Sequence, residues 1–159
     1  LKEEVPSLKA MKDWNMGQLH ESHVRELQSD TRPFNVLSTN SAWLMSSLTM
    51  GANGLLSGSG SVIADLQVAL FNAVRAGDLR RAQAVNDRIY PTAQCFYGAP
   101  ATDMHNRMKE ALVMLGRLPK AVVRPPLTKL TEAELAGVRD AIEKAGLTYE
   151  GADYLRKAA

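Results

Sequence analysis

Three short apolar segments, each leading into a stretch long enough for a helix, fill the first half of the chain, and no further strand candidate follows them. Residues 8–12 read as a short buried strand. Residues 17–29 then read as a helix with Leu19, Val24 and Leu27 as its apolar positions, broken by Arg32-Pro33. Phe34-Asn35-Val36-Leu37 is the second strand candidate and ends at Ser38-Thr39-Asn40-Ser41. Trp43, Leu44, Met45, Leu48 and Met50 make a second helix, closed by Gly51. Gly54-Leu55-Leu56-Ser57 is the third strand candidate, running into Gly58-Ser59-Gly60-Ser61. Ile63, Leu66, Leu70 and Val74 then mark a longer helix stopped at Gly77. The order β-α-β-α-β-α, with helices long enough for crossovers, predicts a parallel sheet. Three parallel strands leave two pairing edges open, so this part needs partner strands from elsewhere.

The remainder reads as helical. Asp78 can cap a helix running to about Tyr90, with Pro91 as a kink or break. Met104, Met108, Ala111, Leu112 and Leu115 line one face of the next helix, before Gly116. Thr131-Glu132-Ala133-Glu134 is a capping box opening a helix through Leu135, Val138 and Ile142, ended by Gly146. The 45% hydrophobic content of 159 residues suffices for one ordinary core. The 19 Lys and Arg residues are dispersed among 17 acids, so no basic stripe points to nucleic acid. No apolar run approaches a membrane span of roughly 20 residues. A single cysteine, Cys95, excludes an internal disulfide and fits a reducing, cytoplasmic setting. Residues 1–6 lack the basic start and apolar middle of a signal peptide. They read as the tail of a helix ending before Pro6, as in the middle of a longer protein.

Within this order Lys12 is the residue with the most chemistry. It ends the first apolar segment, followed by Asp13-Trp14-Asn15. A lysine where a buried strand meets a loop is costly unless paired, exposed or used. Burial would lower its pKa and supply a neutral amine for attack on a ketone; the alternative is a strand-end lysine reaching solvent. Other residues carry similar pairs of readings. Gly58-Ser59-Gly60-Ser61 is an anion-binding nest or a turn. Ser38, Asn40 and Ser41 contact substrate or cap the helix containing Trp43. His20 and His23, without an acidic or cysteine partner at convincing spacing, read as a solvated helix face rather than a metal site. Cys95 reads as a packed residue rather than a nucleophile. The methionines at 104 and 108 read as core or subunit contact, and Arg124 before two prolines as structural.

Taken together, these segments resemble the dihydrodipicolinate synthase and N-acetylneuraminate lyase family of Schiff-base lyases, from about Leu1 to Leu147. The strand ending in Lys12-Asp13 is similar to the family's sixth barrel strand with its Lys-Glu or Lys-Asp. Ser38-Thr39-Asn40-Ser41 falls where the family carries Ser-Gly-Asp-Asp or a relative. Met50-Gly51-Ala52-Asn53-Gly54 resembles Leu-Gly-Ala-x-Gly, and Leu55-Leu56-Ser57 resembles strand eight. Ala76-Gly77-Asp78-Leu79 with Arg81-Ala82, Met108-Lys109-Glu110-Ala111-Leu112 with Gly116, and Val123-Arg124-Pro125-Pro126-Leu127 follow the family's closing helices.

The resemblance implies the C-terminal part of a (β/α)8 barrel. Residues 1–76 would supply strands six to eight with their helices, and residues 77–159 a helical region packing on the barrel. The active site would lie at the C-terminal strand ends, with Lys12 as the iminium-forming catalytic residue. Ser38, Thr39, Asn40, Leu56, Ser57, Gly58 and Ser59 would bind substrate. No metal or other cofactor is implied. The expected partners are a small-molecule 2-oxo acid, the N-terminal half of the barrel and further copies in a dimer or tetramer; neither nucleic acid nor membrane is expected.

Against the synthase pattern, Thr39 replaces a usual glycine, Asn40 and Ser41 replace two carboxylates, and Gly58-Ser59-Gly60-Ser61 replaces a bulkier segment. Trp14 stands where a small residue is common. Amide and hydroxyl groups suit sugar hydroxyls or a carbonyl better than a cation. The expectation is therefore an aldolase or dehydratase acting on pyruvate or a 2-oxo sugar or aromatic acid. The alternatives are 4-hydroxy-tetrahydrodipicolinate synthase proper, a non-catalytic family member acting as a binder, or a helical interaction module over residues 78–159.

Overall fold

The computed structural model describes residues 3–29 and 34–149. Three strands, β1 (Ala10–Asp13), β2 (Asn35–Ser38) and β3 (Gly54–Leu55), form one parallel sheet in sequence order. Lys12 pairs with Leu37 and Asp13 with Ser38, while Leu37 pairs with Gly54 and Ser38 with Leu55. Between them run α1 (Gly17–Gln28) and α2 (Leu44–Thr49), and α3 (Gly60–Arg75) follows β3. The expected β-α-β-α-β-α order and parallel sense are both present. Strand ends shift by one or two residues from the sequence reading, and β3 keeps two residues of the four expected. The predicted break at Arg32-Pro33 lies outside the described residues. Glu3 and Glu4 lie in a turn rather than a helix tail.

Contacts divide the chain into two compact units. One comprises the chain up to Gly60 with Asp65–Asn86; the other comprises Ser61–Ala64 with the chain from Asp87. In the first, the core on the helix side of the sheet gathers Val24, Val36 and Ala52, with Met11 and Leu27 packed against them. Strand side chains alternate in direction, so β1 is not buried throughout: Met11 faces this core while Lys12 faces the other way and is exposed. On α1 the sequence reading took Leu19 as apolar core, yet Leu19 is 53% exposed and His20 is fully buried. The buried stripe is His20, Val24 and Leu27 at helical spacing. Gly51 sits at φ +108°, where its missing side chain leaves room for Val24 against the turn.

The helix α4 (Leu79–Tyr97), which belongs to the first unit up to Asn86 and to the second from Asp87, runs on through Pro91 without the break that was one of the two expectations there. Proline removes one intrahelical donor. Beyond it, however, Thr92, Ala93 and Phe96 continue the buried stripe begun by Ile89, and packing carries the helix onward. Asp78 caps its start by accepting the Arg81 amide at 2.9 Å. On α5 (Met104–Met114), Met108 and Ala111 are buried as expected, and Arg107 is buried beside them. The Arg107 guanidinium donates to the carbonyls of Phe96, Gly98 and Ala99, satisfying the end of α4. The capping box at α6 (Glu132–Lys144) is formed: Thr131 Oγ1 accepts the Glu134 amide and Glu134 Oε2 accepts the Thr131 amide. Hydrogen bonds from Thr131, backbone first and hydroxyl second, hold the Glu134 carboxyl below its usual range. No helix among the described residues is long and apolar enough to cross a membrane.

Candidate active site

Because the sheet is parallel, its three strands end on one side, and the residues singled out from sequence gather there. Lys12 is the penultimate residue of β1, exposed, and engages no hydrogen bond or ion pair among the described residues. Ser38 ends β2 with its hydroxyl fully buried and without a hydrogen-bond partner among the described residues. Thr39 follows, buried, its amide donating to the Asp13 carbonyl at 3.1 Å. Asn40 folds back so that its Oδ1 accepts the Ala42 amide at 3.2 Å, holding the turn before α2. The expected capping of α2 by Ser38, Asn40 or Ser41 is not made: Trp43 is its N-cap and no side chain caps it. Leu56 leaves the sheet after its amide donates to the Ser38 carbonyl at 2.8 Å, and its side chain is 50% exposed.

The loop after β3 is a turn closed by the Gly60 amide on the Ser57 carbonyl at 3.0 Å, with Gly58 exposed. Its hydroxyls point inward to a ring. Ser41 Oγ bonds Ser57 Oγ through a short contact and Ser59 Oγ at 2.8 Å, and Ser57 reaches Ser59 at 3.0 Å. Gln67 Nε2 donates to Ser59 at 3.0 Å. Ser41 and Ser59 are buried and Ser57 half-buried, so Ser57 is the member of the ring with surface left to offer. A side chain at Gly60 would press on the Gln67 amide.

Sequence reasoning missed a second polar set directly behind Lys12. Asp13 is 1% exposed, and its Oδ1 accepts the Asn15 amide at 3.0 Å and the Asn15 side-chain amide at 2.7 Å. Its Oδ2 accepts Nδ1–H of His20 at 2.8 Å and of His23 at 2.9 Å. Ser47 Oγ, from α2, shares a hydrogen bond with His20 Nε2 at 2.7 Å, so both ring nitrogens of His20 are engaged. Trp43 meets the His20 ring edge-on, with centroids 5.6 Å apart. The solvated-face reading of the two histidines is therefore corrected: they brace a buried carboxylate. The Ser47–His20–Asp13 distances are those of a hydrolytic triad, but Ser47 and His20 are fully buried, so no substrate reaches the hydroxyl. An acid at a strand end followed by two histidines one turn apart was the available signal.

Burial alone would raise the Asp13 pKa. Hydrogen bonds from His23, the Asn15 amide, His20 and the Asn15 side chain outweigh it and bring the pKa to about 2. An unfolded aspartate titrates near 3.9, so below that pH the unfolded chain binds the proton first. Asp13 thus contributes stability above about pH 4 that is lost as pH falls toward 2, roughly 2 kcal/mol in all. Urea unfolding at pH 5 and pH 3 should show this loss. Asp13→Asn should remove that part of the acid limb; an unchanged pH slope in the variant would refute the assignment.

Among the described residues, no group of three or more His, Cys, Asp or Glu could hold a metal ion. Cys95 is half-buried; burial pushes its thiol up, Arg107 pulls it down and Asp140 adds to the rise. It has the character of packing rather than of a nucleophile.

A model of the Dihydrodipicolinate synthetase family matches residues 1–145. The chain belongs to that family. This family member is 32% identical over 148 residues to the 4-hydroxy-tetrahydrodipicolinate synthase of Symbiobacterium thermophilum, covering 92% of the chain and 48% of the relative. It is 29% identical over 114 residues to Escherichia coli K12 YagE, whose name provisionally assigns a 2-dehydro-3-deoxy-D-gluconate aldolase, covering 72% of the chain and 37% of the relative. In structure it resembles YagE crystallised in complex with pyruvate, with a TM-score of 0.80 at 24% identity over 91% of this chain and 48% of that one. Its fold is thus that of part of a dihydrodipicolinate synthetase-family (β/α)8 barrel, and the chain spans half or less of these relatives' length.

Proposed function

We propose that this chain supplies strands six to eight of a Schiff-base lyase barrel, with residues 1–76 as the barrel portion and 77–159 as the helical region. The observation that carries the reading is the position of Lys12 at the C-terminal end of a parallel strand, on the sheet face away from the helices. In a (β/α)8 barrel that face is the interior and that end is the active site. The substrate class is pyruvate or a 2-oxo sugar acid.

The chemistry runs through one nitrogen. Once deprotonated, the Lys12 Nζ adds its lone pair to the ketone carbon, and the carbinolamine loses water to give an iminium. Loss of a proton from the adjacent carbon, or cleavage of that carbon's bond to a hydroxyl-bearing neighbour, which leaves as an aldehyde after giving up its hydroxyl proton, sends the electron pair to the cationic nitrogen and forms the enamine. That enamine then adds to an aldehyde or expels a hydroxyl two carbons from the iminium carbon. Aldol cleavage, condensation and dehydration are therefore open to one lysine. Leu56 and Ser57, exposed and half-buried beside the strand ends, are the contacts we assign to the substrate. Ser38, Thr39, Asn40, Gly58 and Ser59 shape the loops that carry them. The Ser57 hydroxyl suits a hydroxylated chain better than a cation. The N-terminal half of the barrel and further copies of the protein complete the assembly in this reading.

The test is to incubate the complete protein with pyruvate, reduce with sodium borohydride and map the modified peptide by mass spectrometry. A pyruvyl adduct on Lys12 is expected. A folded protein that gives no adduct with pyruvate or other 2-oxo acids would instead be a binder that kept the fold.

A further inference from the structure

Lys12 and Asp13 are neighbours in a strand, so their side chains leave on opposite faces. One faces the proposed reaction and the other ends in a buried anion. Burying that anion carries a desolvation cost that only well-placed hydrogen bonds offset. A buried charged network is often no more stable than well-packed apolar residues of the same volume, and this core is otherwise apolar around Val24, Val36 and Ala52. What the network provides is geometric definition. Through Asp13 the end of β1 is tied to α1 by His20 and His23, and to the following loop by Asn15. Through His20 it is tied to α2 by Ser47, and its backbone carbonyl takes the Thr39 amide after β2. Each tie is a directional hydrogen bond, and His20 is itself held by Ser47 and packed against Trp43. The lysine side chain has a flexible four-carbon stem, so the position of its Cα is what the fold can fix.

We propose that Asp13, braced by His20, His23 and Ser47, is the positioning residue that holds the Lys12 strand end in register for attack on the 2-oxo acid. This rests on the Schiff-base reading given above. Asp13 touches neither substrate nor the reacting nitrogen; it acts through the backbone it shares with Lys12. Misplacement of a reacting group by about 1 Å costs up to roughly 100-fold in rate.

The test is the rate of borohydride-trapped pyruvyl adduct on Lys12 in the complete protein, as a function of pyruvate concentration, with near-ultraviolet circular dichroism to verify packing. Asp13→Asn should lower the maximal trapping rate ten- to a hundredfold, leaving the half-saturating pyruvate concentration within about twofold. Ser47→Ala, which removes the outermost link without touching the charge, should lower it about threefold or more with the same half-saturation. It carries the test alone if Asp13→Asn does not fold. Folded variants that trap at the wild-type maximal rate overturn the positioning role while leaving the Schiff base intact, as does a change confined to half-saturation. Wild-type protein that forms no adduct overturns both readings together.

Discussion

Replacing Lys12 by alanine should abolish pyruvyl trapping and lower turnover of the complete protein by roughly four orders of magnitude or more, the scale of losing a covalent nucleophile. Lys12→Arg should do no better, because a guanidinium stays protonated and offers no amine for the ketone. The loss should be chemical rather than structural. Lys12 makes no hydrogen bond or ion pair among the described residues, so its truncation leaves no buried partner unsatisfied there and should change stability by no more than about 1 kcal/mol. Equal melting temperatures with a lost adduct would agree with this. Retained trapping in Lys12→Ala, mapped to another lysine, would move the active site elsewhere.

The largest stability effect should fall on His20. Its ring is fully buried, bonded at Nδ1 to Asp13 and at Nε2 to Ser47, and packed against Trp43. Truncation to alanine strips one bond from a buried carboxylate, takes from the Ser47 hydroxyl its His20 partner, and opens a cavity. Losing a partner of a buried charge costs about 3–5 kcal/mol. His23 makes a bond of similar length to the same oxygen, but its side chain is 26% exposed. Water can replace it, and His23→Ala should cost about 1–2 kcal/mol. Urea midpoints of the two variants measure the difference; a His23 effect equal to or larger than that of His20 would refute the account of which histidine holds the anion.

The order and parallel sense of the strands were legible because helix-length stretches separate apolar segments and permit no hairpin. Strand ends were less legible: β3 is four apolar or small residues in sequence, but Leu56 turns away after a single bond to Ser38. The loops at the strand ends were placed correctly, whereas the hydrogen bonds inside them were not. His20 was missed because histidine carries little apolar signal, so the exposed Leu19 took its place in the helical stripe. Its link to Asp13 spans only 7 residues and left a signal in the two histidines one turn apart, but its link to Ser47 spans 27, a separation that no local pattern reveals. Pro91 misled for a related reason. Its cost is local and certain, while the packing of Thr92, Ala93 and Phe96 that overcomes it is tertiary.

One row of the sheet bears on how such a site can change over time. Lys12, Leu37 and Gly54 are register partners across three adjacent strands, and therefore share a face. A side chain added at Gly54 would collide with one Leu37 methyl group, Cδ2. Leu37 would have to yield, and its neighbour on the other side is Lys12. The space around the lysine is thus adjustable from two strands away, by one carbon at a time, without altering any group that does chemistry. In the proposed lyase, Gly54 would then be a remote setting for the width of the space beside the lysine.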